Sequence, residues 1–552
     1  MKSLSNIRRV VSLAGTALVF AGVVGVVALQ SSSKGDASKD ESKPSWPMYG
    51  GDLSRNLVNL KEKGIPTTWD VDKGTNVKWS VDLGSKAYGG PIVAGGRIYI
   101  GTNNGNPRDK TIEGDKGILM CFEEATGKFL WQAVHDKLLA GRVNDWPNEG
   151  ICSSPVVEGD RLYYVNNRAE VVCADVNGMA NGNQGEQDET YKGPQDVDVI
   201  WRLDMIGEFN VFPHNLAVCS PLIVGDTLFV VTANGVDEQH INIPKPAAPS
   251  FLAINKKTHE VIWKDNAPSQ PLIEARQRGV RIKIRDLITQ GKVLMHGQWS
   301  NPVYAEPNGK PMIIFPGGDG WMRAYNPQNG ELLWKFDCNP KGTKYVLGGK
   351  GNRSDFVSTP VVWQNKLYIG VGQDPEHKKG VGHLWCIDIT KQPKNKDKDL
   401  TPVEVEHKFD PKAAVNKDSG LVWHYGGKAP EEYQRSYLFG RTMSTCAVHD
   451  GLCYAADYDG YIYCLDANTG KKYWEDKLGA DTWSSPYWVD GKIYIGTENG
   501  SIRIYKHGKT KELVNTVKTG ADAIRATPVA VSGVLYVMTE NPTKLWAVST
   551  KK

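Results

Sequence analysis

Adjacent cysteines, a Cys-x-x-Cys-His stretch and any cysteine before Cys121 are all missing from this chain. Without Cys-x-x-Cys-His there is no attachment site for a c-type haem, and without an early thiol there is none for an N-terminal lipid. A Ser-His-Asp motif, a phosphate-cradling glycine loop and a zinc signature are missing too. Charge of one sign is also scarce: 66 basic residues against 62 acidic ones leave a net +4. Lys2, Arg8 and Arg9 carry three of those charges in the first thirty residues, which contain no acid. The near-neutral remainder excludes a nucleic-acid footprint. Only one apolar stretch reaches spanning length, which excludes a polytopic membrane protein. Disorder over most of the chain is excluded by 17 Trp and 22 Tyr, enough aromatics for a large core.

The N-terminus divides into a basic start, an apolar run from Val10 to Leu29 and a Ser-rich stretch. This pattern with Val26-x-Ala28 describes a secretory signal peptide, while the run is equally long enough to stay as a membrane anchor. Either reading of residues 1–30 exports the body to the periplasm or cell envelope. Residues 31–45 read as a flexible, solvated linker.

What is abundant is repetition. A small residue, Pro, an apolar pair, a Gly-containing turn and an aromatic-rich strand recur at 89–102, 153–166, 219–232, 300–318, 358–371, 444–457, 484–497 and 526–539. Period-two alternation across a short turn predicts a β-hairpin in each copy. Most copies are followed by a strand, an Asp/Asn-Thr-Gly-like turn and a strand bearing Trp: Trp131, Trp201, Trp263, Trp334, Trp423 and Trp474. The seventh copy has KELVN instead, and the eighth lacks its last strand. NVKWSVDLG (76–84), with Trp79, precedes the first copy and supplies a strand with no hairpin of its own. Four strands per unit, eight units and a lent N-terminal strand predict an all-β, eight-bladed β-propeller over residues 46–552.

These repeats resemble the PQQ-like (pyrroloquinoline quinone) repeat, a Pro-led hairpin with an "ALD-x-x-TG" turn and a Trp-bearing outer strand. Cys464-Leu465-Asp466, Asn468-Thr469-Gly470 and Trp474 match it most closely, and the opening WPMYGGDLSRN (46–56) looks like the start of exported proteins with such repeats. The resemblance, over about residues 46–550, is shared by the propeller subunit of the outer-membrane β-barrel assembly machinery (BamB) and by quinoprotein alcohol and glucose dehydrogenases. It implies that the recurrent Trp residues are structural, packing between neighbouring blades. It leaves two functions open. One is a non-catalytic, BamB-like scaffold with envelope proteins as partners, although BamB's lipid-anchor Cys is missing. The other is a dehydrogenase using PQQ and calcium, although the adjacent-Cys ring disulfide of methanol-dehydrogenase-like quinoproteins is missing. The cysteines sit at equivalent sites of different repeats, too far apart to bridge, and read as small core residues.

Ligand sites of propellers sit where the innermost strands begin. The residues there are Glu149, His214, Asn215, His296, Gln298, Trp299, Asp355, Arg441, Asp481 with Trp483, and Arg525. Converging, they could clamp an anionic planar ligand. Calcium-bound PQQ would need a carboxylate, an amide oxygen and a second carboxylate as hard oxygen ligands with an aromatic plane beneath it. Glu149, Asn215, Asp355 and Trp299 offer these types, and Asp355 would be the catalytic Asp of a quinoprotein; otherwise no catalytic residue, cofactor or metal is assigned. Trp146, Trp299 and Trp483 also suit a polysaccharide or peptide. Two loops collect metal-compatible side chains: 231–244, with Asn234, Asp237, Glu238 and His240, and 371–383, with Asp374, Glu376, His377 and His383. Both read as charged loops on a propeller face. The acidic loop 175–189 fails the EF-hand pattern at Met179. In 266–295 the alternation of Arg281, Lys283 and Arg285 with Val280, Ile282 and Ile284 predicts an exposed edge strand or hairpin. The Lys-rich stretch 391–399 is a solvated loop.

Overall fold

The computed structural model describes residues 44–347, 350–373, 375–402 and 416–550, all in the second of two units of the chain, Asp40–Lys552. The expectations for residues 1–30 and for nearly all of 31–45 lie outside the described residues, as does Asp374. Among the described residues no helix is long and apolar enough to cross a membrane.

Eight antiparallel sheets form the blades, each ordered from a three-residue inner strand outward. The inner strands of blades 1 to 8 are Ile92–Ala94, Val156–Glu158, Leu222–Val224, Val303–Ala305, Val361–Trp363, Ala447–His449, Tyr487–Val489 and Val529–Val531. Blade 8 takes its outer strand from Val77–Asp82, which pairs antiparallel with Lys544–Val548. The lent strand closes the ring as its orphan Trp79 predicted.

The recurrent Trp residues join blade to blade. Trp131 of blade 1 donates its indole N–H to Val176 O of blade 2 at 3.0 Å. Trp201, Trp263, Trp423 and Trp474 do the same to Lys256 O, Pro327 O, Ala467 O and Gly508 O of the next blade at 2.9–3.2 Å. The ring face lies against the turn, and this explains the turn's glycine. Gly330 adopts φ +71°, and a Cβ there would stand 2.7 Å from Trp263. Gly127 faces Trp79 and Gly470 faces Trp423 in the same way.

The small residue before each Pro has a second role. Ser154 N–H donates to Ser220 Oγ, Ser220 N–H to Asn301 Oδ1, Asn301 Nδ2 to Thr359 Oγ1, and Thr359 N–H to Thr445 Oγ1. Thr445 N–H then donates to Ser485 Oγ and Ser485 N–H to Thr527 Oγ1. These side chains form a hydrogen-bonded belt around the channel, satisfying backbone groups that the crowded axis hides from water.

His135 binds blade 1 to blade 2. Its Nε2 lies 2.9 Å from Tyr164 Oη and its Nδ1 3.0 Å from Asn166 Nδ2. Burial, with Arg202 and Arg168 nearby, holds its pKa down to about 3. Between pH 6.5 and 3 the unfolded chain therefore binds a proton that the folded one does not. The linked stability is full above pH 6.5 and falls on acidification by about 1 kcal/mol per pH unit. Denaturant melts across pH 7 to 4 should show His135→Gln with a shallower acid loss than the parent. Parallel curves would refute this account.

Residues 46–59 form a strap across the inner strands. Trp46 exchanges hydrogen bonds with Val93 of blade 1, and Pro47 O accepts from Val157 of blade 2. Leu53 O and Ser54 O accept from Tyr304 of blade 4 and Val362 of blade 5. Asn56 pairs with Val448 of blade 6, Val58–Asn59 run parallel to Trp488–Val489 of blade 7, and Asn59 Nδ2 reaches Ala530 O of blade 8. Arg55, fully buried, donates to Pro302 O, Tyr49 O, Ser220 O and Pro221 O at 2.8–3.0 Å, which ties blades 3 and 4 to the strap.

The insertion 266–295 departs from its expectation. It is not an edge strand: Gln270–Gln277 and Ile284–Thr289 are helices. Leu272, Leu287 and Ile288 are buried in an apolar cluster with Val236, Ile243, Leu294, Met295 and Tyr345, while Arg281, Lys283 and Arg285 face solvent. The nine cysteines are free thiols, all buried except half-buried Cys152.

Candidate functional site in the channel mouth

A cavity of about 360 Å³ occupies the channel between the strap and the mouth. Tyr49 of the strap lines it together with Tyr88, Trp146, Trp299 and Trp483, and its polar wall includes Glu149, Asn215 and Arg525. The belt residues Ser154, Ser220, Thr359 and Thr445 face it as well.

Local structure fixes the polar groups. Asn215 is left-handed at φ 60°, a conformation Asn tolerates. Its N–H donates to Val143 O, and its own carbonyl accepts from Trp146 N–H at 2.8 Å. Trp299 donates its indole N–H to His214 O and Leu216 O. Arg525 stacks 4.8 Å from the Trp483 ring and is held by Glu498 and Glu540, with Tyr88 Oη at 3.2 Å. Two carboxylates thus match its charge and push its pKa up. Arg441 is occupied by His377 O, Lys378 O and Gly351 O. Neither arginine is left to clamp an anion.

The unpaired groups are acceptors. Glu149 Oε2 and Asn215 Oδ1 are both buried with no hydrogen-bond partner among the described residues. Buried polar atoms without partners are rare and costly. Whatever enters this cavity should bring donors or positive charge. Cys152, which also lines the cavity, has its thiol pushed well up by burial and by Glu149, so it is no nucleophile.

Glu376 of the 371–383 loop also lines the cavity, whereas the remaining residues predicted at the mouth lie off it. Gln298 is buried and donates to Asn234 O. Asp481 is half-buried and pairs with Lys379. His214, His296 and Asp355 are fully buried behind Trp299. The His214 ring stacks on Trp299 at 5.8 Å and the His296 ring meets it edge-on at 4.7 Å.

Behind Trp299 the two metal-compatible loops converge. His240 from 231–244 and His377 from 371–383 both turn inward and are buried with His214 and His296. Ring centroids of His214, His240 and His296 are 4.7–4.8 Å apart, and His377 lies 5.3 Å from His240 and 5.1 Å from His296. His383 joins a different pair, with Nδ1 2.9 Å from His424 Nε2. Asp237 turns its carboxylate to its own loop, accepting from Ile241 and Asn242. Glu238 and Glu376 pair with Arg142. Among the described residues of these loops, His240 and His377 are therefore buried rather than charged side chains on a propeller face.

Comparison with known proteins agrees with this architecture. A stretch of 136 residues, 22% of the chain, is 27% identical to a 1-butanol dehydrogenase (cytochrome c) of Thauera butanivorans and covers 19% of that protein. The chain thus spans about a fifth of the length of that curated relative. The quinohemoprotein alcohol dehydrogenase of Comamonas testosteroni superposes with a TM-score of 0.55 at 13% identity, over 91% of this chain and 80% of that one. BamB of Moraxella catarrhalis superposes with a TM-score of 0.48 at 12% identity, over 86% of this chain and 98% of that one. The likeness to the Comamonas testosteroni protein shows the propeller fold alone. A family model described as "Outer membrane protein assembly factor BamB" matches residues 115–399 and 413–552. With most of its length inside that match, the chain belongs to this family of PQQ-like repeat β-propellers.

Proposed function

We propose that the protein is a non-catalytic binding propeller of the cell envelope, and that its channel cavity receives a cationic or hydrogen-bond-donating group of a partner. The observation that carries this reading is the pair of unpaired acceptors, Glu149 Oε2 and Asn215 Oδ1, on an aromatic wall. A cation beside a carboxylate and over indole faces gains from both. The wall shows no activated nucleophile, and both arginines serve the framework. The apolar run Val10 to Leu29 supports export. A peptide or another envelope protein offering a lysine side chain fits these groups.

A second reading is favoured by the same atoms. A carboxylate and an amide oxygen are hard ligands suited to calcium, and stacked aromatics suit a quinone, so Glu149 and Asn215 would hold calcium-bound PQQ against Trp299. The fit is incomplete. Asp355, the acid/base that reading needs, lies off the cavity, 3.4 Å from His296 Nδ1 and fully buried.

Titration of the full chain separates the two readings. A lysine peptide amide should quench indole fluorescence and bind at least tenfold more weakly to Glu149→Gln. Calorimetric heat that requires PQQ and calcium together, with dye reduction on adding alcohols, would instead sink the non-catalytic reading. Peptide binding that ignores the Glu149 substitution would sink the cavity assignment.

A further inference from the structure

The buried histidines behind Trp299 carry an inference independent of the cavity ligand. Three loops contribute His214, His240 and His296, and one ring nitrogen from each lies within 4.8 Å of the others. Imidazole clusters of this kind suit borderline divalent metals such as zinc, copper or cobalt.

The hydrogen bonds set the rings for ligation. His214 Nδ1 lies 2.9 Å from Val236 O, a pure acceptor, so Nδ1 carries the proton and Nε2 presents its lone pair. That Nε2 lies 3.0 Å from His240 Nε2. Two nitrogens bound at ~2.05 Å to one tetrahedral ion would lie about 3.3 Å apart, so the pair is close to ligating separation before any ion enters. His296 turns Nδ1 toward Asp355 Oδ2 at 3.4 Å. A carboxylate behind one ring nitrogen orients the other toward a metal. Asp355 is itself fixed, since its N–H donates to Gly372 O at the root of the loop that carries His377. His377 flanks the group and shares a 2.7 Å hydrogen bond with Tyr345 Oη through Nε2.

The surroundings fit as well. The two helices of 266–295 bury Leu272, Leu287 and Ile288 against Val236, Met295 and Tyr345, and these last three adjoin the histidines in sequence or by hydrogen bond. An apolar shell of this kind limits water and holds ligands in place. The insertion read from sequence as an exposed edge strand or hairpin is the roof of this pocket. Close packing beneath is also enforced, because a Cβ on Gly235 would stand 2.6 Å from His214 Cβ.

We propose that His214, His240 and His296 bind one divalent transition-metal ion, with Asp355 as the positioning residue that orients His296.

Cobalt(II) is the probe. Added to the full chain, it should give visible d–d absorption saturating at one ion per chain, reversed by zinc. His240→Ala should abolish the bands. His240→Cys, which restores a ligand, should bring them back with a new near-ultraviolet thiolate-to-metal band. Asp355→Asn should weaken binding 10- to 100-fold while leaving the bands in place. Near-ultraviolet circular dichroism reports whether each variant keeps its tertiary packing. If His240→Ala loses its fold, the thiolate band of His240→Cys decides. No saturable band in the parent overturns the assignment, as does a spectrum unchanged in His240→Cys.

Discussion

Arg55→Ala is expected to destabilise the whole propeller by about 3–5 kcal/mol, because it strips the donor from four buried carbonyls at once. The guanidinium spends its hydrogen bonds on four carbonyls: Pro302, Tyr49, Ser220 and Pro221. Burial depresses its pKa to about 10, a measure of how far it has left water. No carboxylate accepts from it in these bonds; backbone dipoles carry the charge. Truncation leaves those acceptors dry, each costing about 1–3 kcal/mol before relaxation. Arg55→Lys should recover less than half, because an ammonium cannot reach four acceptors spread around a planar fork. Urea melts of the full chain followed by intrinsic fluorescence test this. A midpoint indistinguishable from the parent's would show that the strap is dispensable.

Trp131→Ala should cost a similar amount, about 3–5 kcal/mol. The side chain is 1% exposed, packs against Tyr99 at 6.0 Å and donates to Val176 O across the blade 1–blade 2 boundary. Removing it opens a void between two sheets that cannot collapse together without disturbing the ring. Trp131→Phe should cost less, since packing is partly kept and one hydrogen bond worth about 1 kcal/mol is lost. The unfolding midpoints should rank parent, Phe, then Ala. Equal midpoints for Phe and Ala would mean that the hydrogen bond, not the packing, holds the blades.

The propeller was legible because its causes are local. Period-two hairpins, Thr-Gly turns and a Trp in every blade but the seventh are visible within one repeat, and an orphan strand around Trp79 announced the closure. The insertion 266–295 was misread for a related reason. Alternation over Val280 to Ile284 is too short to decide, and burial of Leu272, Leu287 and Ile288 won. Pro271 in the first turn of a helix was the available signal. The histidine group was half legible. His214 and His296 stood in the mouth, and the loops of His240 and His377 were marked for their ligand types. Nothing in any one loop shows that residues spread from 214 to 377 meet. That juxtaposition belongs to the ring's geometry, as does the hydrogen-bonded belt, whose members read locally as mere polar residues at the head of each hairpin. Arg55 stood in a familiar opening motif, and its role needed blades 3 and 4 to be in place.

The strap also sets an order of events. Every blade it touches is synthesised after it, and its bond from Asn59 to Ala530 joins residues 471 positions apart. Contacts of such range form late and slowly. A ring still missing blade 8 leaves both the strap and the strand Val77–Asp82 without their final partners, with open sheet edges on either side of the gap. Refolding should therefore end on one slow closure step, and the species waiting at that step is where the chain is most exposed to aggregation.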